Sequence, residues 1–148
     1  MSILLQPGDA VPQVSLPSTD GRSISLGEFK GKKNVVLYFY PEDDSPGCTK
    51  EACAFRDDIT LYRMKDSVIL GVSTDSIDSH MKFKEKFGLP FTLLSDADTT
   101  VSRQFGVYDE PSKEARRVTF IIGKDGIIKK VFDKVKAAQH SVEVLTAL

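Results

Sequence analysis

The chain has only two cysteines and two histidines in 148 residues. So few cysteines exclude a small secreted scaffold stapled by dense bridges. A chain of this length can build its own core without them. Two cysteines and two histidines do not make a zinc pattern either, because the spacing of Cys48 and Cys53 is not that of a metal knuckle. No metal and no cofactor is expected. There is no excess of charge of one sign: 20 Lys and Arg stand against 21 Asp and Glu, a net charge of −1. A basic stripe of the kind nucleic acid requires is absent. The short clusters Lys30-Gly31-Lys32-Lys33 and Lys129-Lys130 read as solvated strand edges or turns. No apolar run approaches the ~18 residues of a membrane span. Met1 to Pro7 has neither a charged n-region nor a small-residue cleavage site. Neither a nucleic acid nor a membrane is therefore an expected partner, and the reducing cytoplasm is the default compartment. Linkers, repeats and low-complexity tracts are missing, so one domain over residues 1–148 is expected.

Val14-Ser15-Leu16 and Ser23-Ile24-Ser25-Leu26 alternate around Asp20-Gly21 and predict a small N-terminal hairpin. Asn34 to Tyr40 is almost wholly apolar, as a central strand covered on both faces would be. Val68 to Ser73 reads as a second buried strand. A helix is predicted from about Ser76 to Phe87, with Met81, Phe83 and Phe87 as its apolar positions and Gly88 as its stop. A shorter helix is predicted from Thr99 to Phe105. Val118 to Ile122 and Ile127 to Phe132 flank Gly123-Lys124-Asp125-Gly126, a hairpin turn. The last ten residues carry Val142, Leu145 and Leu148 at helical spacing. This order predicts an α/β fold, a central mixed sheet with helices on both faces. His80 and His140 are expected on solvated helix surface.

The chemistry concentrates in Pro41-Glu42-Asp43-Asp44-Ser45-Pro46-Gly47-Cys48-Thr49-Lys50-Glu51-Ala52-Cys53. Pro41 ends the central strand. Ser45 suits an N-cap and Pro46 the first helical position. Cys48 then lies in the first turn, against unpaired backbone N–H groups and the positive end of the helix dipole. That setting favours the thiolate, the reactive form. Cys48, Ala52, Phe55, Ile59 and Tyr62 form one inward stripe. Glu51 reads as a first-turn residue that complements the dipole, and Tyr40 as a strand-end packing residue.

Pro41, Ser45 and Cys48 together resemble the active-site signature of the peroxiredoxin family: Pro, three residues, Thr or Ser, two residues, Cys. The second cysteine at plus five resembles the bacterioferritin comigratory protein, or PrxQ, branch. The resemblance extends to Pro7-Gly8-Asp9, Pro12, Gly71-Val72-Ser73, Phe87 to Phe91 and the Val118 to Gly126 hairpin. It implies a thioredoxin-like fold. It implies a thiol-dependent peroxidase for hydrogen peroxide and organic hydroperoxides, regenerated by thioredoxin or a similar dithiol reductant. It also suggests a monomer. In the residues, it assigns Cys48 as the peroxidatic cysteine, Cys53 as the resolving cysteine, Pro41 as its shield, and Ser45 as the hydroxyl that meets the peroxide. Arg117 matches the arginine of the pocket.

Three departures stand out. Ser45 occupies a position where Thr is more usual. Glu42 stands where relatives often have Lys, and the run Glu42-Asp43-Asp44 would oppose thiolate formation if it faced the cysteine. Glu114-Ala115-Arg116-Arg117 lacks the usual Gly-Ile, which keeps Arg116 as a second candidate for the pocket arginine.

Attack on a peroxide breaks an O–O bond and develops negative charge on the leaving oxygen, which fixed donors stabilise. The available donors are the N–H groups of Gly47 and Cys48, the Ser45 hydroxyl and Arg117. The product is a sulfenic acid, which a second thiol captures as a disulfide. Residues five apart on a helix stand about 7.5 Å apart along its axis and about 140° around it. A disulfide needs Cα atoms within about 7 Å and converging Cβ vectors. Joining Cys48 to Cys53 therefore requires the first turns of the helix to unwind. Two other readings remain at this point, a general thiol–disulfide oxidoreductase and a redox sensor. Against the first, there is no Cys-x-x-Cys, and Arg117 rather than proline precedes the Val118 strand.

Overall fold

The computed structural model describes residues 3–148. The leader reading over Met1 to Pro7 falls partly on Met1 and Ser2, which lie outside the described residues. Strands β1 (Ser15–Pro17) and β2 (Ser23–Ser25) form the expected antiparallel hairpin. A 3-10 turn at Leu26–Phe29 leads into β3 (Asn34–Phe39). Helices α1 (Pro46–Asp57) and α2 (Ile59–Met64) follow. Then come β4 (Ser67–Ser73), α3 (Ile77–Phe87), β5 (Thr92–Ser95) and α4 (Thr100–Gln104). A two-stranded ribbon, β6 (Tyr108–Asp109) with β7 (Glu114–Ala115), precedes β8 (Val118–Ile122), β9 (Ile128–Phe132) and α5 (His140–Ala147).

The main sheet runs β5-β4-β3-β8-β9. β4 is parallel to both β3 and β5, while β8 is antiparallel to β3 and β9. Alternation along β3 divides the core into two. Val35, Leu37 and Phe39 join Val118, Phe120 and Ile122 on the face covered by the hairpin and by α4, through Phe105. Val36, Tyr38 and Tyr40 join Ile121 on the face covered by α1, α3 and α5, where Cys48, Ala52, Phe55, Phe83 and Val144 pack. A strand with both faces buried has no polar side, which is why Val35 to Tyr40 reads as an unbroken apolar run. Gly71 sits beside Tyr38 in the parallel pair β3–β4. A Cβ on Gly71 would lie 2.9 Å from the Tyr38 hydroxyl and 2.8 Å from Leu93. The glycine therefore leaves the room in which Tyr38 lies across β4.

Several expectations are corrected. The helix after Pro41 divides at Asp58, whose N–H is shared between the Ala54 and Phe55 carbonyls. Strand β5 and the β6–β7 ribbon are additions, too short to show a period. His80 and His140 are buried, not solvated. Each is paid for by hydrogen bonds: His80 Nδ1 to Asp43 at 2.7 Å, and His140 Nε2 to Thr119 Oγ1 at 2.7 Å. A buried polar ring is tolerated when both nitrogens are satisfied. His80 takes the inward position on α3 beside Phe83, and Met81 is exposed. In α5 the inward residues are His140, Ser141 and Val144, while Val142 is exposed.

Candidate active site

Ser45 is the N-cap of α1, with extended backbone, and its Oγ accepts from the Cys48 N–H at 3.4 Å. The Ser45 hydroxyl donates to the Glu42 carbonyl at 3.2 Å. Pro46 is the first helical residue. Gly47 and Cys48 follow in the first turn, where N–H groups have no intrahelical acceptor. Pro41 is half-buried at the end of β3. Cys48 is only 1 % exposed, so its sulfur meets ordered groups rather than bulk water.

Arg117 reaches this sulfur from the other side. Its Nη2 donates to Cys48 Sγ at 3.3 Å and its Nη1 donates to Glu51 Oε1 at 2.7 Å. Strand alternation explains why it is Arg117 and not Arg116. Val118, Phe120 and Ile122 face the hairpin side, whereas Ile121 faces α1. By the two-residue period, 117 shares the face of 119 and 121. Arg116 is exposed and donates instead to the Gly106 carbonyl at 2.9 Å. A Cβ on Gly47 would lie 3.0 Å from Arg117 Nη2, so the missing side chain is the guanidinium's seat.

Glu51 is the residue that sequence reasoning misplaced. It is fully buried, and one oxygen, Oε2, lacks a partner. Burial pushes its carboxyl up to about 7, although the Arg117 guanidinium opposes the shift. Burial also works against the charge of Arg117, but the Glu51 and Cys48 charges outweigh it and hold the guanidinium above its ordinary value. The available signal was the three-residue spacing from Cys48, which puts both on one helical face.

The acidic run does not press on the thiol. Asp43 is buried among its own donors, Tyr40 and Ser79, and Asp44 pairs with Lys86 at 2.7 Å. Glu42 is exposed. Cys53 is half-buried, on the same helix as Cys48, and both thiols are free. The arrangement is a thiol at a helix N-terminus under a fixed cation, suited to charge development on an attacked oxygen.

The AhpC/TSA family model matches residues 7–131. The chain belongs to the AhpC/TSA family. Among similar relatives, a putative peroxiredoxin bcp of Coxiella burnetii is 46 % identical over 150 residues, covering 97 % of this chain and 99 % of the relative. A Cys-to-Ser mutant of Xylella fastidiosa PrxQ superposes with a TM-score of 0.90 at 30 % identity, covering 99 % of this chain and 96 % of that one. The Xanthomonas campestris bacterioferritin comigratory protein, described with an alkyl peroxide reduction activity, superposes with a TM-score of 0.86 at 33 % identity, covering 99 % and 96 %. Within the AhpC/TSA proteins this is thus a peroxiredoxin of Bcp/PrxQ type with a thioredoxin-like fold, and a thiol-dependent peroxidase. The exchanger and sensor readings are not favoured by such relatives.

Proposed function

We propose that Cys48 is the peroxidatic residue and Cys53 the resolving residue of this peroxidase. The observation that carries the assignment is the Arg117 guanidinium at 3.3 Å from Cys48 Sγ. The Cys48 thiolate attacks one peroxide oxygen. An S–O bond forms, the O–O bond breaks, and the departing oxygen takes a proton to leave as water or an alcohol. Arg117 and the Gly47 N–H stabilise charge on the reacting oxygens. Ser45 caps the helix and turns its hydroxyl toward the substrate once the Glu42 carbonyl is released. Pro41 closes the site against water. The Cys53 sulfur then attacks the sulfenic acid, an S–S bond forms and water leaves. A dithiol such as thioredoxin returns two electrons by exchange.

Hydrogen peroxide and small organic hydroperoxides fit the burial of Cys48, and the alkyl peroxide activity described for the Xanthomonas relative supports the organic class. The protein works as a single domain over residues 1–148, a monomer in the cytoplasm. No helix among the described residues is long and apolar enough to cross a membrane. Stopped-flow oxidation of reduced protein, with mass spectrometry of the product, tests the assignment. The expected product, one peroxide consumed per chain, has lost two hydrogens and carries a Cys48–Cys53 link. A stable Cys48 sulfenic acid would remove Cys53 from its role. Oxidation no faster than that of a free thiol would remove Cys48.

A further inference from the structure

The loop that delivers Cys48 is held by a buried cluster that none of the steps above uses. Asp43 lies in the middle of the β3–α1 loop, yet is only 8 % exposed. Its Oδ1 accepts from the Tyr40 hydroxyl at 2.6 Å. Its Oδ2 accepts from Ser79 Oγ at 2.7 Å and faces His80 Nδ1 at 2.7 Å. Its N–H donates to Asp75 Oδ2 at 2.9 Å, which also accepts from Ser73 Oγ at 2.5 Å. The His80 ring is wholly buried, and its Nε2 faces the Leu94 carbonyl of β5 at 2.8 Å. A carbonyl oxygen only accepts, so Nε2 carries a hydrogen. A carboxylate oxygen also accepts, so a second hydrogen lies between Nδ1 and Oδ2. Asp44, at φ 61°, adds an outer tie to Lys86 of α3.

The end of β4 and both the first and the last turn of α3 thus converge on two consecutive loop residues, and the edge strand β5 holds the far side of the His80 ring. The next residue is Ser45, the cap that receives the Cys48 N–H. Arg117 arrives from the residue just before β8, an independent element. The meeting of the α1 N-terminus with Arg117 therefore depends on where the loop is tied. From this we infer that Asp43 and His80 are positioning residues for peroxide reduction, clasping the β3–α1 loop to α3 so that Cys48 and Gly47 meet Arg117 in register. The inference rests on Cys48 being the reacting thiol. Asp43, Asp75 and His80 also stand close enough together to suggest a cation. The donors of Tyr40, Ser73 and Ser79 already point their hydrogens at those carboxylates, which favours the clasp.

The test compares two reactions of the same sulfur in reduced protein. One is oxidation by hydrogen peroxide, which needs the aligned donors. The other is alkylation by iodoacetamide, which needs the thiolate but not the donors. The variants are Asp43→Ala, His80→Leu, His80→Asn and Tyr40→Phe, with Cys48→Ser as the control. A misplacement of about 1 Å costs roughly 100-fold in rate. Asp43→Ala and His80→Leu are expected to lose about that much in peroxide rate while alkylation changes less than about threefold. His80→Asn, which returns an N–H toward Asp43, is expected to recover part of the loss. If Asp43→Ala or His80→Leu does not fold, Tyr40→Phe removes one donor from Asp43, and its peroxide rate alone should fall. Equal losses in both reactions would reduce the cluster to a general stabiliser and overturn the proposal. Wild-type peroxide rates in these variants would also overturn it. So would one equivalent of tightly bound zinc that His80→Leu abolishes. A Cys48→Ser protein with wild-type peroxide rate would instead overturn the assignment of Cys48.

Discussion

Arg117 serves two groups at once, donating to Cys48 Sγ and to the buried Glu51. Its replacement by alanine removes the cation beside the sulfur and leaves Glu51 buried without its partner. Removing one donor of this kind costs about 100- to 1000-fold. Arg117→Ala is expected to slow oxidation by hydrogen peroxide by that order in stopped-flow experiments, while Arg116→Ala stays close to wild type. Glu51 gives a prediction for stability. The folded carboxyl keeps its proton up to about 7, against 4.5 in its ordinary state. Between these pH values the folded protein holds more protons than the unfolded chain. Stability therefore falls as pH rises through this window, by about 2–4 kcal/mol in all. Glu51→Gln cannot ionise there. Urea unfolding at pH 4.5 and pH 7.5 should show that loss in the wild type and a flatter dependence in the variant.

Helix α1 carries both thiols and is gripped at both ends. Asp43 and Asp44 hold the entry, while Phe55, wholly buried against Tyr38, Tyr62 and His140, holds the exit. Unwinding on oxidation should therefore stop before Phe55. Hydrogen exchange after one equivalent of peroxide is expected to show lost protection from Gly47 to Ala54 and little change in α2. Protection equal to that of reduced protein would refute the helix-opening step. Much of this was legible beforehand. Ser45, Pro46 and the stripe Cys48, Ala52, Phe55 announce the helix, and the run from Val35 to Tyr40 announces a strand covered twice. Glu51 and His80 were misplaced for a shared physical reason. Polar side chains read as surface until a partner distant in sequence is known, and theirs are Arg117 and Asp43. Arg117 was preferred to Arg116 on the family resemblance and not on strand period, because β8 is buried on both faces, which hides its alternation. Strand β5 offered four residues, too few for alternation to count.

At the scale of the whole molecule, the sheet brings together groups 69 residues apart in sequence, Cys48 and Arg117, on the face that α5 also packs against. The protein is expected to elute as a 16.4 kDa species in size-exclusion chromatography with light scattering; a stable species of twice that mass would contradict the monomer. The placement of both cysteines on one twelve-residue helix also bears on electron flow. In the proposed cycle the disulfide exists only while α1 is open, so packing of Ala52 and capping by Ser45 are withheld until two electrons arrive. Oxidised protein should then melt at a lower temperature than reduced protein, the reverse of a structural bridge. Each 1.4 kcal/mol recovered on closing the helix raises the reduction potential by about 30 mV. The folding of α1 is thus a thermodynamic pull that makes the disulfide a ready electron acceptor for its reductant.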